Sequence, residues 1–380
     1  MTSIRDNIVF SYNIPAVKVL TAITPQAGFD YAKNRFHIDS LVENETRYVW
    51  ENGQKVSKTF TDINQSMALG GLTDGVTNLE LTAAYAAIAN GGIYTKPVFF
   101  TKILDHNGKV LLENEPQTKR VLKDSTAFLL TDALAESMES SRMYASPGVS
   151  LNSTSVPANI PGMSNAGKSG TTTSNVDIWF VGYTPYYTAG IWSGCDDNQK
   201  ISAIGSSTSY HKRIWKQIMA RAHEGLADTG FPVPDSIETA SVCRKSGMLP
   251  NPGVCEADPR GSAVYTEYFA KGTVPTQVCD HHVAITVCGE SGGLPTEFCP
   301  LESRHSRTVL VTPEGESGGT DDSRYAMPGP CTVHTQSAVV LPSENETAAP
   351  DTETVPETTA PFIPSSPLDD IYIPVGPGYM

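Results

Sequence analysis

A short polar stretch followed by two apolar segments constrains the fold of this 380-residue chain more than any other feature. The polar stretch covers residues 167–173, and the first apolar segment, residues 177–184, follows almost at once. The turn Thr184-Pro185-Tyr186 then leads into a second apolar segment, residues 188–193. Segments of this length and composition are typical of buried strands, and so short a connection favours antiparallel pairing. The sequence therefore predicts an antiparallel sheet in the middle of the chain.

Three helices are predicted around this sheet. Residues 77–92 begin with Thr77 and Glu80 in a T-x-x-E capping box and end at Asn90-Gly91-Gly92, which is a stop signal. Apolar periodicity predicts a second helix over residues 123–141 and a third over residues 209–224. The third is expected to turn four residues inward: Ile214, Trp215, Ile218 and Met219. We therefore predict an α/β (α+β) fold with an antiparallel sheet flanked by helices.

Three other segments carry local signals. Residues 7–24 are expected to begin as a loop and become helical after Pro15, because proline suits the first helical turn. A hairpin is predicted for residues 101–104 and 109–112, which an Asn-Gly pair joins. Residues 142–166 are rich in Ser, Asn, Pro and Gly, so a long loop is expected there.

Charge is distributed unevenly along the chain. The 27 Lys and Arg and 41 Asp and Glu give a formal net charge of −14, which argues against a general nucleic-acid binder. Residues 336–380 hold acidic residues, Pro, Thr and Ser but no Lys or Arg. Such a composition cannot offset its ordering entropy, so this tail is predicted to be disordered. The remaining chain divides into a main domain of residues 1–225 and a Cys-containing extension of residues 226–335.

Six of the seven cysteines lie in the extension. An even number in a Gly/Pro-rich region predicts disulfides and an oxidising compartment, with fifteen pairings open. The rival interpretation is a metal site, because Cys279 is followed by Asp280-His281-His282. No C-x-x-C spacing supports that interpretation, so disulfides are predicted and no metal is expected.

Two short polar motifs carry the candidate chemistry: Ser11-Tyr12-Asn13 and Lys168-Ser169-Gly170. A lysine on a strand ahead of glycine places a cation beside backbone that a substrate can approach closely. Neighbouring hydroxyl and amide groups can then hold a carboxylate or an oxyanion. Short motifs also occur by chance, and a second K-S-G stands at Lys245-Ser246-Gly247. Of the two K-S-G matches, only Lys168-Ser169-Gly170 is followed by two apolar strands. Ser11-Tyr12-Asn13 is the only S-x-N that precedes a helical apolar run.

Five further stretches accompany these motifs: Ala68-Leu69-Gly70-Gly71 and residues 84–92, 179–185, 243–247 and 267–273. In this order, over about residues 1–285, the set resembles the transpeptidase part of class A penicillin-binding proteins, whose motifs are S-x-x-K, S-x-N and K-T/S-G. The resemblance implies a penicillin-binding protein/β-lactamase-like transpeptidase fold that is incomplete at the N-terminus.

This sequence departs from the family's pattern at the S-x-x-K motif. In the family that motif carries the nucleophilic Ser and lies several dozen residues upstream of the S-x-N. Only ten residues precede Ser11 here. One S-x-x-K, Ser209-Tyr210-His211-Lys212, lies downstream, as chance alone predicts, and Ser209 is interpreted as a helix N-cap. We therefore expect a fragment that begins after the nucleophile. The family's membrane span and glycosyltransferase domain would also lie upstream.

By this resemblance three residues are catalytic. Ser11 would relay a proton to or from the amine, Asn13 would hydrogen-bond the substrate amide, and Lys168 would supply positive charge. Four residues would bind substrate: Ser169, Gly170, Thr171 and Thr173. The Ser169 and Thr171 hydroxyls would hold the substrate carboxylate, and the Thr171 amide would form half of an oxyanion hole.

The implied activity is that of a serine-type peptidoglycan DD-transpeptidase, which cross-links stem peptides through an acyl-enzyme and needs no cofactor. The implied partners are D-Ala-D-Ala stem peptides, β-lactams and other cell-wall synthesis proteins, at the extracytoplasmic face of the bacterial membrane. Contact with the membrane would run only through an upstream anchor. The alternative is a non-catalytic peptidoglycan-binding or scaffold protein that keeps only the S-x-N and K-S-G half-site.

Overall fold

The computed structural model describes residues 3–142, 150–195, 199–201, 209–314 and 322–335. The predicted disordered tail lies outside these described residues. Met1–Thr335 form one compact unit. Within the described residues no helix has the length and apolar character needed to cross a membrane.

The described residues form six α-helices: α1 (Ile4–Val9), α2 (Asn13–Ile23), α3 (Pro25–Asp30), α4 (Asn78–Ala89), α5 (Asp124–Glu136) and α6 (Tyr210–Ala222). They also form fifteen strands: β1 (Glu45–Glu51), β2 (Gln54–Phe60), β3 (Ile93–Thr95), β4 (Lys102–Leu104), β5 (Val110–Glu113), β6 (Thr118–Arg120), β7 (Ser140–Arg142), β8 (Ser150–Asn152), β9 (Ala166–Thr171), β10 (Asp177–Tyr183), β11 (Thr188–Gly194), β12 (Ile237–Cys243), β13 (Val264–Ala270), β14 (His282–Cys288) and β15 (Arg304–Leu310).

A three-stranded antiparallel sheet in the order β11-β10-β9 is the centre of the fold. Phe180 of β10 pairs with Ile191 of β11 on one side and with Ser169 of β9 on the other. The two predicted neighbouring strands are therefore confirmed as β10 and β11. The K-S-G motif lies on β9, which is an edge strand of this sheet in the described residues.

Helix α6 covers one face of the sheet and closes its core. Trp215 is fully buried, Met219 is nearly so, and the Trp215 ring meets Phe180 edge-on with centroids 5.1 Å apart. Ile214 and Ile218 are 42% and 54% exposed, so the prediction that they point inward is wrong. Residues four apart share a helix face, and the stripe that faces the sheet is 215/219, whereas 214/218 lies one residue round the helix.

Helix α4 confirms its predicted ends. The Thr77 hydroxyl accepts from the Glu80 amide at 3.2 Å, and the Glu80 carboxylate accepts from the Thr77 amide at 3.1 Å. Helix α5 ends at Glu136, five residues earlier than predicted. The Ser137 hydroxyl there donates to the carbonyl of Gly167 at 2.9 Å, which ties the helix end to β9. The chain then enters β7.

The other local predictions have mixed outcomes. The hairpin of β4 and β5 is confirmed. Residues 7–9 are helical because the Ser3 hydroxyl caps α1, and α2 begins at Asn13, before Pro15 rather than after it. Residues 142–166 are not all loop, since β7 pairs with β8; residues 143–149 lie outside the described residues.

The described residues of the extension contain two antiparallel strand pairs, β12 with β13 and β14 with β15, each with seven residue pairs. The predicted disulfides are wrong for this structure, because all seven cysteines are free thiols. Six buried sulfurs instead lie in two groups of three, each beside a histidine. Three thiols form at most one disulfide, so neither group can be fully paired internally.

Candidate active site

The central contact of the site joins the two motifs across 157 residues of sequence. The Lys168 Nζ donates to the Ser11 Oγ at 2.6 Å and to the carbonyl of Ser169 at 2.9 Å. Lys168 lies on β9, and Ser11 lies in the tight loop between α1 and α2. The fold therefore brings a hydroxyl and an amine into direct contact, which is an arrangement suited to proton relay.

Ser11 holds an uncommon backbone conformation. Its φ of 57° lies in the left-handed region, which costs a non-glycine residue about 1 kcal/mol. Hydrogen bonds of the loop maintain it: the Ser11 amide donates to the carbonyl of Ile8 at 3.2 Å, and the Tyr12 amide donates to the carbonyl of Asn7 at 3.0 Å. Strain of this kind often accompanies functional sites, and here it aims the hydroxyl at Lys168.

The amine of Lys168 is poorly solvated. Burial, together with the positive charge of nearby Lys212, lowers the pKa of Lys168 to about 8. Lys212 is itself partly buried, which lowers its own pKa, and its Nζ donates to the carbonyl of Thr154 at 2.6 Å. Neither amine forms an ion pair with a carboxylate of the described residues, and two neighbouring cations of this kind favour an anionic ligand.

The predicted substrate-binding residues follow Lys168 along β9 and into a turn. Ser169 and Gly170 are half-buried, whereas Thr171 and Thr173 are exposed. The Thr172 hydroxyl accepts from the Asp177 amide at 2.8 Å, and the Thr172 amide donates to the Asp177 carbonyl at 3.0 Å. These two bonds close the turn and hold Thr171 and Thr173 next to the sheet edge.

The other motifs separate in space. Asn13 is exposed as the first residue of α2, so the structure pairs Ser11, and not Asn13, with Lys168. The second K-S-G lies in the extension, where the Lys245 Nζ donates to Asp322 Oδ2 at 2.5 Å. Sequence reasoning missed Lys212 as a neighbour of Lys168, because its S-x-x-K match was set aside as chance.

Comparisons with known proteins agree with this fold. The model of the penicillin-binding protein transpeptidase domain matches residues 1–220, and that of the penicillin-binding protein 1A C-terminal domain matches residues 233–284. The site described above has the K-S-G motif on an edge strand, with its lysine in contact with a serine. The chain belongs to the penicillin-binding protein transpeptidase family.

Several relatives are similar over much of the chain. Penicillin-binding protein 1A of Clostridium botulinum is 33% identical over 308 residues, which are 81% of this chain and 34% of that protein. Penicillin-binding protein 1A/1B of Bacillus subtilis is 31% identical over 73% of this chain and 28% of its own length. This chain thus spans about a third of the length of these relatives.

A solved structure supports the fold independently. Penicillin-binding protein 1A from Haemophilus influenzae matches with a TM-score of 0.54 at 22% identity, over 73% of this chain and 41% of that chain. The predicted penicillin-binding protein/β-lactamase-like transpeptidase fold is therefore confirmed.

Proposed function

We propose that this chain supplies much of the active site of a serine-type peptidoglycan DD-transpeptidase. The observation that carries the proposal is the 2.6 Å contact between Lys168 Nζ and Ser11 Oγ beside the edge strand β9, in a chain of this family. The comparisons do not favour the scaffold alternative. The nucleophilic serine is proposed to come from an S-x-x-K motif upstream of Ser11.

The proposed reaction has two steps. The nucleophilic serine attacks the carbonyl of the penultimate D-alanine, and the terminal D-alanine leaves with a proton. The amine of a second stem peptide then attacks the acyl-enzyme, loses a proton and forms the cross-link. Ser11 would pass a proton between the nucleophile and the departing or arriving amine, and its contact with Lys168 supports this role. Asn13 would hydrogen-bond the substrate amide.

Electrostatics support binding of the substrate's terminal carboxylate. The charged Lys168 amine faces the site together with the nearby charge of Lys212. A bound carboxylate stabilises the charged form of Lys168, so binding should raise the pKa of that amine. The hydroxyls of Ser169 and Thr171 add donors, Thr173 extends them, and the backbone amide of Thr171 would form half of an oxyanion hole. Gly170 permits close approach.

The same site would be acylated by β-lactams, which present a carboxylate and a reactive carbonyl together. A peptidoglycan substrate implies that the protein works at the extracytoplasmic face of the bacterial membrane, with other cell-wall synthesis proteins as neighbours. An upstream anchor would provide the membrane contact, and no cofactor enters the reaction.

A labelling experiment tests the proposal. The protein, extended upstream of Met1 to include the S-x-x-K motif, is incubated with a fluorescent penicillin, and the second-order rate of adduct formation is measured. We expect a covalent adduct whose rate falls about 100-fold in Lys168→Met. The exposed Lys109→Met is the matched control and should keep the rate. A folded extended protein that forms no adduct would refute the proposal.

A further inference from the structure

The extension contains an internal repeat of cysteine motifs. C-x-x-S-G-x-L-P occurs at residues 243–250 and again at residues 288–295. Each copy is followed by a lone cysteine and then by a C-x-x-H motif, at residues 279–282 and 331–334. Every described cysteine of the extension belongs to one of the two copies, so the repeat accounts for all six.

The two copies fold alike. In each copy the first cysteine ends a strand, and its amide closes a tight turn as a hydrogen-bond donor. The Cys243 amide donates to the carbonyl of Met248, and the Cys288 amide donates to the carbonyl of Gly293, both at 2.8 Å. The glycines that allow these turns, Gly247 and Gly292, have φ values of 72° and 70°. The repeat is therefore structural as well as sequential.

The third cysteine of each copy is positioned in the same way. The Cys279 amide donates to the carbonyl of Leu249 at 2.8 Å, and the Cys331 amide donates to that of Leu294 at 2.7 Å. The leucines belong to the two C-x-x-S-G-x-L-P motifs, so each C-x-x-H is fastened directly to the turn that carries the first cysteine. This hydrogen bond brings the thiols of the two motifs of each copy close together.

Each copy thereby gathers four ligand atoms. We define the first cluster as Cys243, Cys255, Cys279 and His282, and the second cluster as Cys288, Cys299, Cys331 and His334. Within each cluster the three Sγ atoms and the imidazole nitrogen all lie within 4.8 Å of one another. The six cysteines are buried, with exposures of 0–4%.

The distances in both clusters suit a tetrahedral metal ion. His282 Nδ1 lies 3.4, 3.7 and 3.3 Å from the sulfurs of Cys243, Cys255 and Cys279. In the second cluster His334 Nδ1 lies 3.3 Å from Cys288 Sγ and 3.6 Å from Cys331 Sγ. Zinc bonds of about 2.3 Å to sulfur and 2.0–2.1 Å to nitrogen, at tetrahedral angles, separate sulfur from nitrogen by about 3.5 Å.

Carboxylates orient the two histidines from outside the clusters. His282 Nε2 lies 2.6 Å from Asp258 Oδ2, and both side chains are fully buried. Asp258 is held in turn by Arg260, which also contacts Asp322. His334 Nε2 lies 3.4 Å from Glu290 Oε1. Histidines that bind a metal through one nitrogen commonly donate through the other to a carboxylate, which fixes the ring.

We propose that the extension binds two structural zinc ions, one in each Cys₃His cluster. All four positions of each cluster are protein ligands, which is typical of structural rather than catalytic zinc. Cysteines also dominate the buried clusters around the two sites. The first cluster of buried residues contains only Ala263 and the partly buried Val264 besides its cysteines, and the second contains only cysteines. Small modules commonly add a metal cross-link of this kind to a limited apolar core. The proposal does not depend on transpeptidase activity.

Metal analysis of the full 380-residue chain tests this assignment. The chain is purified under reducing conditions with zinc and dialysed, and its zinc content is measured by mass spectrometry. We expect two ions per chain in the wild type, one in Cys255→Ser, one in Cys299→Ser and none in the double variant. Cys195→Ser, which changes the exposed cysteine outside both clusters, is the matched control and should keep two.

Two further readouts on the wild type do not require any variant to fold. Cobalt(II) titration should saturate at two equivalents with thiolate charge-transfer absorption. A thiol reagent should react with Cys195 alone until a chelator exposes the six others. Folded wild-type protein without bound metal, with all thiols reactive at once, would overturn the proposal. So would cluster cysteines found oxidised to disulfides in the natively isolated protein.

Discussion

Lys168 shows at the scale of a single residue how a site can oppose stability. Its amine is buried beside Ser11 and near Lys212, and the pKa of Lys168 is lowered to about 8. The charged form is therefore destabilised in the folded protein relative to the unfolded chain. An anionic substrate would offset that cost by pairing with the amine. This is a physical reason for a binding site to hold a cation that gains its anionic partner only from the ligand.

This lowered pKa predicts a pH-dependent stability. Up to about pH 8 both states hold the proton, so the full penalty of burying the charge is present. Between about pH 8 and 10.4 the unfolded state binds more protons than the folded state, so stability rises with pH. From pH 7 to 10, wild type should gain on the order of 2 kcal/mol relative to Lys168→Met. Denaturant unfolding at the two values measures this gain, and Lys109→Met should track wild type.

Ser11 yields a second prediction at this scale. Because its φ is 57°, Ser11→Gly relieves backbone strain that Ser11→Ala retains, while both lose the hydroxyl. We expect the glycine variant to be the more stable of the two by about 0.5–1 kcal/mol in denaturant unfolding. At the exposed strand position Ser57 the order should reverse. The same order at both positions would contradict the assigned strain.

At the scale of elements, Arg5 joins three segments of the chain. Its guanidinium on α1 contacts Asp132 and Glu136 of α5 and Glu267 of β13, with the Glu136 contact at 3.1 Å. The side chain is only 14% exposed. This contact orients α1, and α1 leads directly into Ser11.

Removal of the Arg5 charge should therefore be costly. Arg5→Met leaves three partly buried carboxylates without their cation, and we expect a loss of about 2–3 kcal/mol in unfolding free energy. Arg47→Met is the matched control, since Arg47 also contacts two carboxylates but is 33% exposed, and it should cost far less. Equal losses would show that the Arg5 contacts do not hold the elements together.

The packing of α4 on β11 depends on one glycine. A Cβ added at Gly190 would lie 2.5 Å from Asn78 Oδ1 and would clash with the Thr82 hydroxyl. Gly190→Ala should therefore destabilise the fold by about 1–3 kcal/mol, measured as a shift in the denaturant midpoint. Gly329→Ala is the control, since an added methyl meets no atom within 4 Å there. A neutral Gly190→Ala would show that the two elements separate freely.

Local signals explain which elements the sequence predicted. The capping box of α4 and the Asn-Gly turn between β4 and β5 are decided by neighbouring residues, and both are confirmed. The end of α5 is decided instead by a hydrogen bond from Ser137 to Gly167, thirty residues away, which no local pattern reveals. Ile214 and Ile218 are as apolar as Trp215 and Met219 and lie on the same helix, but only the stripe of Trp215 and Met219 packs on the sheet. The apolar pattern alone does not distinguish the two stripes.

At the scale of the whole molecule, the family and the Lys168 motif were accessible from motif order, but the contacts of the site were not. The proximity of Lys212 to Lys168 arises from the packing of α6 on the sheet. The cysteine motifs repeat without a fixed period, because loops of unequal length separate them in the two copies. The expectation of disulfides was wrong because it rested on the even number of cysteines alone. That number does not reveal that the fold places three thiols and one histidine together in each of two groups.

The central claim is that Ser11 and Lys168 serve peptide cross-linking. Its most direct test gives the upstream-extended protein a peptide that ends in D-Ala-D-Ala together with an acceptor amine, and mass spectrometry follows both products. The account predicts release of D-alanine together with the cross-linked product, both slowed about 100-fold in Lys168→Met and retained in Lys109→Met. A folded extended protein that releases no D-alanine, or a Lys168→Met variant that forms the cross-link at the wild-type rate, would contradict it.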